Sequence, residues 1–212
     1  MTTMKKGILI SFEGGEGSGK SVQVKKLAKY LKSLGKKVVV TREPGGTRIS
    51  EQIRRVVLDK KNVKMAFECE ALLFQAARAQ IRQEIILPAL RKGKIVICDR
   101  FRDSSVVYQG MVRDLGIELI EKLNDISTKR TKPVLTFLLD VPVEMGLKRR
   151  KESDKRDRLD DGEFSFHQKI RQAYLNWAKK NKDRFVILDG TKDPEEIHQM
   201  IVAVLRKRKI LE

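Results

Sequence analysis

Apolar residues along the chain follow two alternating rhythms. Short runs rich in β-branched side chains occur at residues 8–12, 38–41, 95–98, 134–139 and 185–188, and none alternates regularly with polar positions. Between them lie longer stretches whose apolar residues recur three and four apart, such as "ALLFQAARAQIRQEIILPAL" and "FHQKIRQAYLNWAKKN". Strands too apolar to alternate must be covered on both faces, and intervening helices supply the cover. The pattern therefore predicts an α/β fold of the doubly wound type, a five-stranded parallel sheet with helices on both faces. One segment breaks the rhythm: "RRKESDKRDRLDDGE", residues 149–163, is almost wholly charged and cannot enter a core. It is either a solvated helix end or a lid over a charged site. No internal repeat or low-complexity linker interrupts the pattern.

A chain of 212 residues can bury one sizeable core and is short for two. A single domain spanning 1–212, with a lid at about 149–163, is the expectation. No apolar run approaches the ~20 residues needed to cross a bilayer. The start "MTTMKKGILISFEGG" is basic, but its apolar stretch is shorter than the ~7 residues of a secretory h-region. A cytoplasmic location without membrane attachment is expected. Cys69 and Cys98 lie in apolar surroundings without CxxC spacing, so both are expected as small core residues rather than as a disulfide or zinc site. The formal charge of +18 favours an anionic partner, whether nucleic acid, a membrane surface or phosphorylated metabolites. Much of that charge lies on "KKLAKYLKSLGKK" and "RKRKILE", which read most simply as solvated faces.

The motifs narrow the choice. "GGEGSGKS", residues 14–21, follows the first strand and opens a helix, and it fits G-x-x-x-x-G-K-S. Gly14, Gly15, Glu16, Gly17, Ser18 and Gly19 would wrap backbone N–H groups around a phosphate chain. Lys20 adds a cation there, and the Ser21 hydroxyl is a ligand for magnesium. A nucleoside triphosphate with magnesium is implied. The guanine-reading N-K-x-D is missing; "NKDR" at residues 181–184 is the nearest approach, which removes a switch-GTPase reading.

Asp99 ends an apolar strand in "ICDRFRDSSVVYQG", where a carboxylate faces the mouth of the sheet and can hold magnesium directly or through water. Arg100 places a cation beside it. Ser105 and Gln109 are four apart and share a face if helical, a pair suited to a nucleobase edge. Phe74 and Arg78 are also four apart, an aromatic ring beside a guanidinium that could stack on a base and donate to its carbonyl. A buried arginine needs an acceptor, which a base or phosphate would supply. Arg42, Arg48, Arg54 and Arg55 surround the "EPGG" turn, from which a loop can reach a substrate phosphate; some of them will be solvated.

Taken in order, "FEGGEGSGKS", "TREPGGT", "LLFQAARAQ", "ICDRFRDSSVVYQG", "LLDVPVE" and "DRLDDGEFSFHQKIRQAYL" resemble the thymidylate kinases over nearly the whole chain. The resemblance implies that ATP phosphorylates thymidine monophosphate by direct in-line transfer. It implies that residues 14–21 hold the ATP phosphates, with Glu16 near the acceptor's sugar and the metal. Phe74 would stack on thymine while Arg78, Ser105 and Gln109 read its edge. Arg54 and Arg100 would grip the monophosphate, Pro44 would pack against sugar or base, Tyr108 would sit by the ribose, and Asp99 would assist the metal. The transition-state cation would come from the lid, since the P-loop carries none besides Lys20. Arg158 is the leading choice, with Arg149 or Arg150 assisting and Arg156 nearby. The resemblance also implies a homodimer. Val22, Arg48, Arg102 and the sequence "YQGMVRDLG" depart from the usual pattern. A nucleic-acid-binding module is the rival reading; no stacking motif interleaved with the basic runs supports it.

Overall fold

The computed structural model describes residues 7–151, 158–159 and 163–211. All five expected strands form: β1 (Ile8–Glu13), β2 (Val38–Arg42), β3 (Ile95–Asp99), β4 (Leu135–Asp140) and β5 (Phe185–Asp189). Each runs one residue past its apolar stretch and ends on a charged side chain. In β2 to β5 that last residue is already at the rim of the sheet, where a charge meets the loops rather than the core, whereas Glu13 of β1 is buried.

The helices are α1 (Lys20–Ser33), α2 (Arg48–Leu58), α3 (Phe67–Ile81), α4 (Leu87–Arg91), α5 (Arg102–Ser105), α6 (Ile117–Thr128), α7 (Val143–Lys151), α8 (Phe164–Lys180) and α9 (Pro194–Lys207). Two π-helical stretches, Arg82–Ile86 and Val106–Val112, continue α3 into α4 and extend α5. The sheet order is β2-β3-β1-β4-β5 and every pairing is parallel. The chain leaves β1 toward β2 on one side and leaves β4 toward β5 on the other. Divergent connections open a crevice at the carboxyl ends of the central strands, the usual ligand position in such sheets.

Side-chain alternation sorts the two faces. Ile10 and Phe12 of β1, Ile97 of β3 and Phe137 of β4 pack with Leu27 and Leu31 of α1 and Ile201 and Leu205 of α9. On the opposite face Leu9, Val96 and Cys98 meet Ile81 at the end of α3 and Ile86 just beyond it, while Leu138 meets Ile170, Tyr174 and Trp177 of α8. Each fully buried large apolar side chain contributes ~1.5–3 kcal/mol, so two dry faces account for the unbroken apolar strands. Cys98 is a core residue, as expected, but Cys69 is exposed. The buried stripe of α3 runs through Glu70, Ala71, Gln75, Ala77, Arg78 and Ile81, and Cys69 lies off it. Apolar neighbours in sequence do not fix the direction in which a helical residue points.

Candidate active site

The loop after β1 is shaped by glycine. Gly14, Gly17 and Gly19 all have positive φ, and a Cβ on Gly17 would stand 1.9 Å from the carbonyl oxygen of Gly146. The loop and the backbone of α7 therefore touch, which only glycine on both sides allows. No side chain caps the start of α1 and no acidic residue sits in its first turn, so its free N–H groups and positive end face the crevice. Lys20 folds back over the loop, donating to the carbonyls of Gly14 (3.1 Å) and Gly15 (2.7 Å) and to Ser18 Oγ (3.1 Å). Burial, with Arg100 adding to it, lowers the Lys20 ammonium to a pKa of about 8. Ser21 Oγ donates to Asp99 Oδ2, joining the P-loop to the end of β3.

Opposite the loop stands a lattice of cations held by carboxylates. Arg100, at φ 67°, directs its guanidinium to Glu16 Oε1 at 2.5 Å, to Tyr174 Oη at 3.0 Å and over the Tyr108 ring at 5.4 Å. Burial works against the Glu16 carboxylate, but Arg100, Lys20 and Arg150 outweigh it and hold the pKa at about 2. Tyr108 donates to the same oxygen at 3.2 Å, its phenol kept protonated mainly by burial. Behind them Glu13, fully buried, accepts from Phe101 N (2.8 Å), Ser104 Oγ (2.6 Å) and Tyr174 Oη (3.1 Å). Burial and the nearby Asp103 push Glu13 up to about 7.

Most of the sequence-nominated residues converge on one cavity of about 520 Å³; Gly14, Gly15, Arg78 and Arg158 do not line it. Residues 16–21 line one wall, Asp99 and Arg100 the floor, and Pro44, Arg54, Phe74, Ser105, Tyr108 and Gln109 the other wall. Phe74 is half-buried with its ring at this surface rather than in the core. Arg54 donates to the Pro44 carbonyl at 2.7 Å, whereas Arg48 and Arg55 are exposed. Arg78 stands behind the wall instead of in it. It is 1% exposed, and its acceptors come from the protein: Glu43 (2.7 Å), Asn124 (2.9 Å), Ser105 (3.0 Å), Gln75 (3.1 Å) and the Phe101 carbonyl (3.3 Å). No base or phosphate is needed to satisfy it. Its carboxylate partner Glu43 reaches the cavity lining.

The arginines of the expected lid, of which residues 152–157 and 160–162 lie outside the described residues, divide. Arg149 and Arg150 project from α7 into the cavity lining, with Arg149 also donating to the Gly190 carbonyl at 3.0 Å. Arg158 turns away to the α2–α3 side, donating to Glu70 Oε2 at 2.6 Å and to the Val57 carbonyl at 3.1 Å, and it does not line the cavity. Arg156 lies outside the described residues. The departures are absorbed locally. Arg102 is buried against Glu121 and Asp125, Val22 sits half-exposed at the cavity rim, and the arginine of "MVRD", Arg113, stacks between the Phe67 and Phe166 rings.

Sequence reasoning passed over Glu13, Glu43, Glu70, Tyr174 and Gly146. Three of these are carboxylates inside apolar or turn sequences, and a buried carboxylate demands a partner; that demand was the available signal. Gly146 in "VEMGLKRR" is a glycine in a helix, which costs stability unless something must approach closely.

A P-loop alone would suffice for a protein that only hydrolysed a nucleoside triphosphate. Here a second wall, cationic at Arg54 and aromatic at Phe74 and Tyr108, faces it across the same cavity with Arg100 between them, and the fold and site define a P-loop nucleotide phosphotransferase. Known proteins agree with that class and refine it. The chain belongs to the thymidylate kinase family, whose family model, described as thymidylate kinase, matches residues 12–201. It is 45% identical over 205 residues to a thymidylate kinase of Sulfurihydrogenibium sp., covering 97% of this chain and 100% of that protein. It is 48% identical over 197 residues to a thymidylate kinase of Oenococcus oeni, covering 92% of each. The crystal structure of thymidylate kinase from Ehrlichia chaffeensis superposes with a TM-score of 0.77 at 34% identity, covering 95% of this chain and 99% of that one.

Proposed function

We propose that this chain transfers the γ-phosphoryl group of ATP to thymidine monophosphate, giving ADP and thymidine diphosphate. A phosphate oxygen of the monophosphate attacks the γ-phosphorus in line as the bond to the β–γ bridging oxygen breaks, with no covalent enzyme intermediate. The observation that carries this reading is that the P-loop and the acceptor wall share one cavity, so both nucleotides meet without crossing solvent. Charge in such a loose transition state spreads over the transferring oxygens, so fixed cations supply the catalysis. Lys20 meets the donor phosphates, Arg54 and Arg100 hold the acceptor phosphate, and Phe74 with Ser105 and Gln109 receives the base. Arg78 acts on the base edge from behind Ser105. Glu16 clamps Arg100, and Tyr108 beside it crowds a 2′-hydroxyl.

Arg149 and Arg150 already line the cavity and are the cations best placed for the transferring group; Arg158 joins them only on leaving Glu70. Hard oxygen atoms suit magnesium, and Ser21 Oγ and Asp99 Oδ2 meet at the mouth of the P-loop, so these residues fit the ion. Bound there, magnesium would neutralise phosphate charge. One domain with a lid at 149–163, a cytoplasmic location and a homodimer complete the reading. Exposed Ile49, Val56 and Leu72 on neighbouring α2 and α3 support the dimer. No described helix is long and apolar enough to cross a membrane.

The test is ADP release from magnesium ATP with thymidine, deoxyuridine, uridine, deoxycytidine, adenosine and guanosine monophosphates. Turnover concentrated on the thymidine compound is expected. Preference for a purine monophosphate would overturn the acceptor, and silence across the panel would overturn the reaction.

A further inference from the structure

Glu70 is fully buried, yet no step of the proposed reaction uses it. It lies on α3 in a row with Phe74 and Arg78, four residues apart each time. Its two carboxylate oxygens are divided between the base wall and the lid. Oε1 accepts from Gln109 Nε2 at 2.9 Å and faces Arg113 Nε at 3.6 Å, while Oε2 accepts from Arg158 Nη2 at 2.6 Å. All of these groups are poorly exposed: the Glu70 side chain 0%, Arg158 9% and Arg113 21%.

A carboxylate only accepts, so Gln109 must turn an N–H toward it. That choice fixes the polarity of the amide: one N–H is committed to Glu70, and the carbonyl oxygen is the acceptor that Gln109 offers to the cavity it lines. Pyrimidines differ at this edge. Thymine and uracil carry N–H at ring position 3, whereas cytosine presents a bare acceptor nitrogen there. An acceptor oxygen pairs with the first and opposes the second.

We propose that Glu70 is a positioning residue that determines acceptor specificity. By holding the Gln109 amide with its oxygen toward the base, it selects a base bearing N–H at position 3. By sharing its other oxygen with Arg158, it anchors the base reader and this lid arginine to one carboxylate. The proposal rests on the reading that Gln109 faces the acceptor base. In Glu70→Gln the partner of Gln109 can donate as well as accept, so the amide is free to invert.

The experiment measures kcat/KM for thymidine, deoxyuridine and deoxycytidine monophosphates with the full chain, its Glu70→Gln variant and its Gln109→Ala variant, alongside their melting temperatures. A site built around one hydrogen-bond polarity rejects the opposite polarity strongly, so Glu70→Gln is expected to cut the thymidine-to-deoxycytidine ratio by about tenfold or more. The thymidine-to-deoxyuridine ratio should hardly move, since both bases carry the N–H. A clasp with only a structural role would lower the melting temperature and slow all three substrates alike, and that result would overturn the proposal. Should Glu70→Gln not fold, Glu70→Asp, which keeps the charge and withdraws it from Gln109, is read by the same ratio. If the unmodified protein shows no preference for thymidine over deoxycytidine, or Gln109→Ala keeps it, the base-reading assignment itself falls. Preference lost in Gln109→Ala but intact in a folded Glu70→Gln overturns the role of Glu70 alone.

Discussion

The two ends of the sheet carry the same kinds of side chain and use them in opposite ways. At the carboxyl edge each principal cation is tied to a buried or half-buried group: Arg100 to Glu16, Arg78 to Glu43, Arg158 to Glu70 and Lys20 to the P-loop carbonyls. At the amino edge the cations reach into solvent: Lys37 before β2, Arg91 and Lys92 before β3, Lys129, Arg130 and Lys132 before β4, Lys179, Lys180 and Lys182 before β5, and residues 206–209 after α9. Among the described residues of the connections at that edge, Asp183 is the one carboxylate, and the ion pair of Arg130 with Asp125 is long, at 3.8 Å, with the arginine 85% exposed. In a parallel sheet the helix C-termini gather at this end, and basic residues there complement the helix dipoles. Water screens those charges from one another. At the other edge burial removes that screening, so a few paired cations create a field strong enough to organise phosphates. Net charge therefore says little about where this protein binds anions; partnership and burial decide.

The contrast can be broken first at the P-loop. Lys20→Ala should lower kcat for thymidine monophosphate phosphorylation by about 10³-fold or more, because no other described side chain caps the loop carbonyls with a cation; steady-state kinetics would show it, and a loss of tenfold or less would contradict this assignment. Next, Arg78→Met should destabilise the fold by about 3–5 kcal/mol, since buried Glu43, whose Oε1 already lacks a hydrogen-bond partner, would also lose the partner of its Oε2. Urea unfolding measures that cost, and a change below about 1 kcal/mol would show that the pair is dispensable.

A third effect is in pH. Lys20 is depressed from its usual 10.5 to about 8, so its charge is present below that value and lost as pH rises through it. ATP binds the charged form, hence KM for ATP should rise by up to about tenfold per pH unit above pH 8, until the alkaline limit set by the raised pKa in the complex. Glu16, held at about 2, remains ionised throughout and adds no inflection. A flat KM profile from pH 7 to 10 would remove Lys20 from that role. The smallest effect belongs to the amino edge. Replacing Lys179, Lys180 and Lys182 together with Gln should change stability by no more than about 0.5 kcal/mol and leave kcat/KM for both nucleotides unaltered. Loss of activity there would mean that the solvated charges are not idle.

Much of this site was legible because its pieces are contiguous. Residues 14–21 specify a phosphate cradle by local backbone demands alone, and Asp99 with Arg100 sits where an apolar strand must end at the sheet mouth. Phe74, Ser105 and Gln109 were found through helical spacing, which survives even though Gln109 lies on a π-helical stretch. Arg158 and Arg78 show the limit. Their residue types promised phosphate or base contacts, but the groups they touch, Glu70 and Glu43, come from segments that no local periodicity connects to them.

The sequence by itself determined the five apolar strands, the covering helices, the phosphate loop and the family to which the chain belongs, because each depends on short-range backbone preference, side-chain period or an ordered string of motifs. Only the tertiary structure decided which cation meets which carboxylate, that α7 rests its backbone on the P-loop through Gly17 and Gly146, and that Cys69 faces water. Those outcomes turn on distances between residues far apart in the chain, and on how far burial removes water from between them, neither of which is written in local pattern.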